Sequence, residues 1–562
     1  MKRIRLDFSV IVMTLVTLVV GFLVLYPLGM LLFGSFWTSR PGFPGAFTLQ
    51  NYITAYTMAE TYQLLFNTVL LIGVKTLAAS VIAVTLAWIV TRTDTPYRTV
   101  LEILIITPYF VPGILEAIGW IMLLSPRSGT INVFLMNLFA LSEPPFNIYS
   151  LGGMIWVLSL GSASFMFLLV VSALRMMDAS LEEAARSSGA GPIRTAITVT
   201  LPLIAPVILG AAMLSFIRSM DTFEVPVLLG LPARIFVFSN RIYAAVEYDY
   251  PVNYGLATAL GVSLIGLTLA LIVIQNRLLR GKEFFVVTGK GYKPQVVRLG
   301  RLRYATFALC VGYFIVATVL PLSQIVLGSF MEVFGLVRAD NFTLQNYKRI
   351  VLDQAIWRGM RNTILVGGLT AILAMFLCSS VAYITTRTRY PGRRALDFLV
   401  WLPWTIPGVV AGLGILWAYI RFPIPLYGTI ALLMIAFVIN GLPLGVRLMA
   451  GSMVQLGPEL EECSRVLGAK WLYTSRKVLM PLLRPAMAAV VLMLFVSFSR
   501  SLSSVILLAG HGRELLSVAL FRYTQNGEME IVSAASMVLL LISVAGLVLA
   551  RRLGAFGVRE IG

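Results

Sequence analysis

The chain has 562 residues, of which 58% are hydrophobic and only 12% charged. Soluble domains carry about a quarter charged residues, so the composition excludes both a water-soluble globule and a disordered chain. An excess of 44 Lys+Arg over 25 Asp+Glu, formally +19, then reads as orientation in a membrane and not as a nucleic-acid surface.

A spanning helix needs about 20 mostly apolar residues. In chain order such stretches fall near 10–36, 64–90, 100–124, 151–174, 203–229 and 254–274 in the first half. Six more fall near 305–330, 363–384, 396–420, 429–449, 482–508 and 531–549. The first follows Lys2, Arg3 and Arg5, is too long for a secretory h-region and lacks a small-residue cleavage site, which predicts an uncleaved anchor. Between the sixth and seventh stretches lie Arg277, Arg280, Lys282, Lys290, Lys293, Arg298, Arg301 and Arg303 against one acid, Glu283. Positive charge collects on the cytoplasmic side, so both termini and this linker are expected there. The expected fold is an all-α polytopic membrane protein of about twelve helices.

The halves are copies of one another. Phe47-Thr48-Leu49-Gln50-Asn51-Tyr52 recurs as Phe342-Thr343-Leu344-Gln345-Asn346-Tyr347, 295 residues on. At the same offset Asn67-Thr68 recurs as Asn362-Thr363, Thr91-Arg92-Thr93 as Thr386-Arg387-Thr388, and Pro112-Gly113 as Pro407-Gly408. Later motifs repeat at 279, so the second copy lacks 16 residues, assigned to an outer loop near Pro126–Asn147. Polar and proline positions keep register, which chance similarity between apolar helices does not produce. Each copy has an even number of spans and a cytoplasmic linker joins them, so the repeat is parallel, about an axis along the membrane normal. The division is 1–276 for the first six-span repeat, 277–304 for the basic linker and 305–562 for the second repeat.

Between the fourth and fifth spans each copy carries one polar motif. In the first, within 178–202, Glu183-Ala184-Ala185 is followed by Gly189 and then Val199-Thr200-Leu201-Pro202. In the second, within 457–481, Glu462-Cys463-Ser464 is followed by Gly468 and Val478-Leu479-Met480-Pro481. Ser180 stands at capping-box spacing from Glu183, Pro458 suits a first turn, and acids there favour the positive helix end. Gly189 and Gly468 can take the left-handed backbone that ends such a helix. The reading is a short helix, a turn and a second helix entering a span: a hook able to seat in a partner's groove and transmit rigid-body motion.

This pattern resembles the EAA loop of ABC importer permeases, and Asn-Tyr, Asn-Thr, Thr-Arg-Thr and Pro-Gly at the quoted places are similar to the fused ferric-iron permeases. Phe223-Glu224-Val225-Pro226 and Thr288-Gly289-Lys290-Gly291-Tyr292 are similar to that group as well. The resemblance implies a type I importer permease fold with two copies of a separate ATP-binding cassette ATPase docked on the hooks. Glu183 and Glu462 would approach a basic residue of that ATPase, with Ala184, Ala185, Gly189, Pro202, Gly468 and Pro481 shaping the contact. It also implies a substrate-binding protein on the opposite side, a bacterial cytoplasmic (inner) membrane location in contact with membrane lipid, and ferric iron as cargo. 2-Aminoethylphosphonate, thiamine and polyamine permeases share the architecture, and a twelve-span secondary transporter is the rival of another class.

No G-x-x-x-x-G-K-[ST] loop, HExxH or GxSxG occurs, so no ATPase or hydrolase chemistry is expected from this chain. Cys310, Cys378, Cys463 and His511 offer neither a disulfide framework nor a metal site, and no cofactor is expected. Ionisable residues inside spans mark pathways. Glu116 in the third span, Asp221 and Glu224 late in the fifth, and Arg500, which aligns with Asp221, are therefore the candidate pathway residues. Asp221 and Arg500 are expected to meet near the central axis.

Overall fold

The structure, a computed structural model, describes residues 8–178, 180–279, 296–336, 339–510 and 512–552. Most of the linker and His511 lie outside the described residues. Within them the secondary structure is helical, with only isolated β-bridges. The first half runs α1 (Phe8–Ser35), α2 (Ala59–Arg92), α3 (Arg98–Ile106), α4 (Gly113–Leu124) and α5 (Leu151–Met176). It continues with the short α6 (Ser180–Ser187), then α7 (Leu201–Arg218), α8 (Phe238–Glu247) and α9 (Tyr254–Leu279). The second half repeats the series as α10 (Leu302–Phe314), α11 (Leu320–Ser329), α12 (Gln354–Arg387), α13 (Arg393–Trp401) and α14 (Gly408–Tyr419). It ends with α15 (Ile430–Gln455), the short α16 (Glu459–Val466), α17 (Met480–Ser499), α18 (Leu516–Asn526) and α19 (Met529–Arg552).

Among the described residues ten helical runs are long and apolar enough to cross a membrane, and twelve spans result when each of two bent pairs counts as one. The bent pairs are the third span of each half, turned by 94° between Arg98–Phe110 and Gly113–Leu124 and by 112° between Arg393–Thr405 and Gly408–Tyr419. Hydropathy alone suggests straight helices here. Proline overrides it: Pro112 and Pro407 lack an N–H and push the residue before them out of the helical region, so Val111 and Ile406 are extended at ψ 132° and 118°. The fifth span of each half also lies earlier than hydropathy places it, over Pro192–Asp221 and Trp471–Ser499. These runs start directly after the hooks, through π turns at Ala196–Thr200 and Ser475–Leu479 that precede Pro202 and Pro481. A wider turn upstream accommodates a ring that cannot donate.

The chain folds into two compact units that cut across the repeats. One gathers Met1–Thr57, Ile242–Ile265 and Leu344–Gly562, the other Met58–Arg241 and Gly266–Thr343. Each therefore holds the body of one repeat and the opening span of the other. In the first unit α1 packs on α14, and in the second α11 packs on α4. Glycine permits both contacts: a Cβ on Gly414 would lie 2.9 Å from the Pro27 carbonyl oxygen, and one on Gly119 would lie 2.5 Å from that of Pro321. With little hydrophobic driving force between helices in lipid, such close backbone approach supplies the dispersion contact that holds spans together.

The duplicated polar motifs satisfy backbone groups that the membrane cannot. Asn67 Nδ2 donates to the Phe236 carbonyl (3.1 Å), and Thr68 Oγ1 accepts from the Phe238 N–H (3.2 Å) at the start of α8. Their copies act alike on α18: Asn362 Nδ2 donates to the Glu514 carbonyl (3.1 Å) and Thr363 Oγ1 accepts from the Leu516 N–H (2.8 Å). After α1, Asn51 Nδ2 donates to the Ser35 and Trp37 carbonyls at 3.0 and 2.9 Å. The loop peculiar to the first copy holds a helix, Thr130–Phe139, fastened by buried Asn132, whose amide donates to the carbonyls of Leu124, Ser125 and Phe146.

Candidate functional site

Each unit carries one hook. The Ser180 N–H at the head of α6 donates to Asp178 Oδ1 (2.9 Å), so the cap is the aspartate and not the serine at capping-box spacing. At the head of α16 the N–H groups of Glu461 and Glu462 donate to the Pro458 carbonyl at 3.1 and 3.2 Å. Both hooks end the same way. Gly189 (φ +86°) and Gly468 (φ +83°) adopt the left-handed conformation, and Ala190 and Ala469 donate back to the Ala185 and Ser464 carbonyls, each at 3.1 Å. Nothing lies within 4 Å of a Cβ built on either glycine, so the turn and not crowding requires it.

What holds the hooks is the residue before each motif glutamate. Glu182 is buried: its Oε2 lies 2.9 Å from Arg92 Nε, and its Oε1 accepts from Thr200 Oγ1 at 2.7 Å. Arg92, 2% exposed at the foot of α2, also donates through Nη2 to the Leu174 carbonyl of α5 at 2.9 Å. The second copy repeats the arrangement. Buried Glu461 pairs with Arg387 (3.7 Å) and Arg465 (3.4 Å), and Tyr383 Oη donates to it at 3.1 Å. Arg387 Nη2 in turn donates to the Met453 carbonyl of α15 at 2.5 Å and also to Leu456 O. The arginines of the two Thr-Arg-Thr motifs thus tie each hook to a long span. Sequence reasoning singled out Glu183 and Glu462 and passed over Glu182 and Glu461, although the latter pair repeats at 279 just as Arg92 and Arg387 repeat at 295.

Most of the remaining hook residues face outward, although Glu183 keeps its Oε1 buried. Ala184, Gly189, Glu462 and Gly468 are exposed and Glu183 and Ala185 are half-buried. Around them Val466 and Leu467 are 86% and 87% exposed, and Ile193 is 71% exposed. Charged and apolar groups presented together on a small projecting helix form a surface that a partner can cover. Pro202 and Pro481 stand at the first turns of α7 and α17, where the hook joins its span.

The candidate pathway residues fall at helix ends. Glu116 sits in the first turn of α4, beyond the bend, beside Gly161 of α5, where a Cβ would lie 3.2 Å from its Oε2. Asp221 closes the 3-10 turn Ser219–Asp221 and is the last residue of the fifth span, as expected, whereas Glu224 lies past the span's end. Arg500 caps α17 at the corresponding place in the other unit. One intramembrane charge went unremarked in the sequence. Lys75 of α2 is 3% exposed, and its Nζ donates to Ser162 Oγ (2.7 Å) and Ser215 Oγ (3.4 Å). Its counterparts in the second copy are Thr370, Gly441 and Leu494, so this polar cluster has no twin; a lone lysine within an apolar run was its signal. Among the described residues no three His, Cys, Asp or Glu side chains gather as a metal-holding group.

Comparison with known proteins adds four findings. The family described as binding-protein-dependent transport system inner membrane component matches residues 76–283 and 381–555, one segment from each half. The putative ferric transport system permease protein FbpB 1 of Haemophilus influenzae is 26% identical over 498 residues, covering 88% of this chain and 77% of that protein. The ferric transport system permease protein FbpB of Actinobacillus pleuropneumoniae is 24% identical over 534 residues, covering 94% and 76%. The sulfate transport system permease protein CysT of Salmonella typhimurium is 30% identical over 260 residues, covering 43% of this chain and 89% of that protein.

Proposed function

The chain belongs to the family of binding-protein-dependent transport system inner membrane components, and from that premise we propose that it is the fused membrane subunit of an ATP-driven importer whose cargo is ferric iron. The observation that carries the coupling role is the duplicated hook: a short outward helix whose base is locked to a long span through a buried arginine–glutamate pair. A hook so anchored moves with its unit. A pair of ATPase subunits closing on ATP would draw on Glu183, Ala184, Ala185 and Gly189 at one hook and on Glu462 and Gly468 at the other. Pro202 and Pro481, at the joins, would pass that displacement to α7 and α17 and drive alternating access.

Iron is favoured over other cargoes by coverage. The two ferric relatives align through both halves of the chain, whereas the sulfate relative aligns with less than half. Ferric iron is a hard cation suited to oxygen ligands. With no metal-holding group among the described residues, cargo selection is assigned to the binding protein and the membrane path to Glu116, Asp221, Glu224 and Arg500. The termini and basic linker are placed on the cytoplasmic side of a bacterial inner membrane by the positive-inside rule.

The coupling test is copurification with the ATPase after Glu183→Lys and Glu462→Lys, for which loss of complex and of stimulated ATP hydrolysis is expected. Unaltered stimulation in the double variant overturns the assignment. The cargo test is uptake into proteoliposomes holding the complete complex and binding protein, with ferric iron compared against 2-aminoethylphosphonate, thiamine and a polyamine. Accumulation of any of the last three without iron overturns the choice of iron and leaves the coupling role standing.

A further inference from the structure

In the unit built on the second repeat, a cavity of about 430 Å³ opens at the hook-bearing end, between the foot of α12, α13 and α15. Arg393, Arg394 and Arg447 line it against one acid, Asp397, with Trp401 as its aromatic wall. The Arg447 guanidinium lies over the Trp401 ring at 4.3 Å, and Arg393 Nη1 donates to the Thr388 carbonyl at 3.1 Å, so two of the three cations are pre-oriented. Among the described residues no carboxylate lies within ion-pair distance of any of the three. Thr385 supplies a hydroxyl, and Arg387, which follows Thr386, holds the hook, so the cavity sits where spans leave the apolar layer.

The other unit has the corresponding cavity, and there two of the three arginines are paired with acids. Arg98 and Glu102 replace Arg393 and Asp397, Arg92 is committed to Glu182, and Arg175 pairs with Glu102 at 2.5 Å. Positions equivalent to Arg394, Arg447 and Trp401 are Thr99, Leu168 and Ile106. Duplication therefore produced two like cavities: among the described residues, one has only Arg98 without an ion pair, and the other keeps three such guanidinium groups and a stacking platform. Beside that one, Phe398 is 64% exposed and Trp404, edge-on to Trp401 with ring centroids 5.2 Å apart, is 48% exposed.

We propose that the Arg393–Arg394–Arg447 cavity binds the phosphate of an anionic phospholipid headgroup, with Phe398 and Trp404 against the acyl chains. Guanidinium forks match phosphate oxygens in geometry and charge, and basic pockets between spans at the cytoplasmic face recognise such headgroups. Trp belongs at that depth. The site is independent of the cargo and leaves the hooks' role untouched.

The test uses the full chain in nanodiscs of phosphatidylcholine with and without phosphatidylglycerol, reading retained lipid by native mass spectrometry. Wild type is expected to keep phosphatidylglycerol through stripping. Arg394→Gln and Arg447→Gln are each expected to weaken retention about fivefold, the equivalent of about 1 kcal/mol per basic side chain at an anionic surface. Arg98→Gln, which removes a lone guanidinium from a cavity without the stacking platform, is expected to leave it unchanged. Because these arginines are exposed, the variants' unfolding temperatures in pure phosphatidylcholine should match wild type and certify folding. Equal retention by wild type and the Arg394→Gln/Arg447→Gln double variant overturns the proposal. So does displacement of the lipid by millimolar inorganic phosphate, which would mark a free-anion site instead.

Discussion

Replacing Glu182 with alanine removes the partner of a guanidinium that has nowhere to go. Arg92 is 2% exposed, and without Glu182 it is left, among the described residues, with the Leu174 carbonyl at 2.9 Å. Thr200 loses its acceptor as well. Breaking a buried pair in this way costs about 3–5 kcal/mol, whereas replacing both members by apolar residues of similar volume is near neutral. The hook opens locally and not with the whole chain, so the cost should appear as about 10²- to 4 × 10³-fold faster amide exchange over 180–200 by hydrogen-exchange mass spectrometry. Arg92→Met combined with Glu182→Leu should restore most of the protection. Glu183→Gln keeps the shape of a half-buried side chain whose Oε1 has no hydrogen-bond partner among the described residues, breaks no ion pair there, and should change exchange by less than about threefold. If Glu182→Ala and Glu183→Gln protect the hook equally, the buried pair is not its anchor. In ATPase assays the order reverses in kind: Glu183→Lys should abolish docking while leaving exchange of the hook as in wild type.

Four further outcomes follow from the geometry. Gly414→Ala, whose Cβ would meet the Pro27 carbonyl oxygen at 2.9 Å, should cost about 1–3 kcal/mol by overpacking, read as a lowered unfolding temperature in detergent, while Gly73→Ala, with open space, should not. Asn362→Ala leaves the Glu514 carbonyl unpaired where it is buried and should cost about 1–3 kcal/mol on the same assay. Gly468→Ala forces a side chain into φ +83° without a clash and should destabilise its hook by about 1–2 kcal/mol, read as faster exchange over 459–469. Lys75→Met removes a buried amine that donates to two serine hydroxyls and should leave the unfolding temperature unchanged or raised, with any loss confined to transport.

Much of the candidate site was legible because its signals are local. Gly189 and Gly468 announce a left-handed turn wherever the chain goes next, and Pro112-Gly113 and Pro407-Gly408 announce a break. Hydropathy, which averages over a window, could not see that the break turns the third span by about a right angle. The anchoring glutamates were hidden for a different reason. Glu182 and Glu183 are chemically the same, and successive helix positions point about 100° apart. Which of them turns inward depends on Arg92, 90 residues away in sequence.

Sequence by itself determined the membrane class, the parallel duplication, the two hooks and the family, since composition, register and turn residues act at short range. Tertiary structure alone decided that the opening span of each repeat joins the body of the other. The α1 surface is apolar all around, so its pattern names no partner; that choice rests on Gly414 and Gly119 letting Pro27 and Pro321 come close. It also decided which of two duplicated basic cavities keeps more of its charge unpaired. That depends on whether an acid on α3 or α13 meets an arginine on α5 or α15, as Glu102 meets Arg175 while Asp397 faces Val454 in the alignment, a pairing across helices that no stretch of sequence contains.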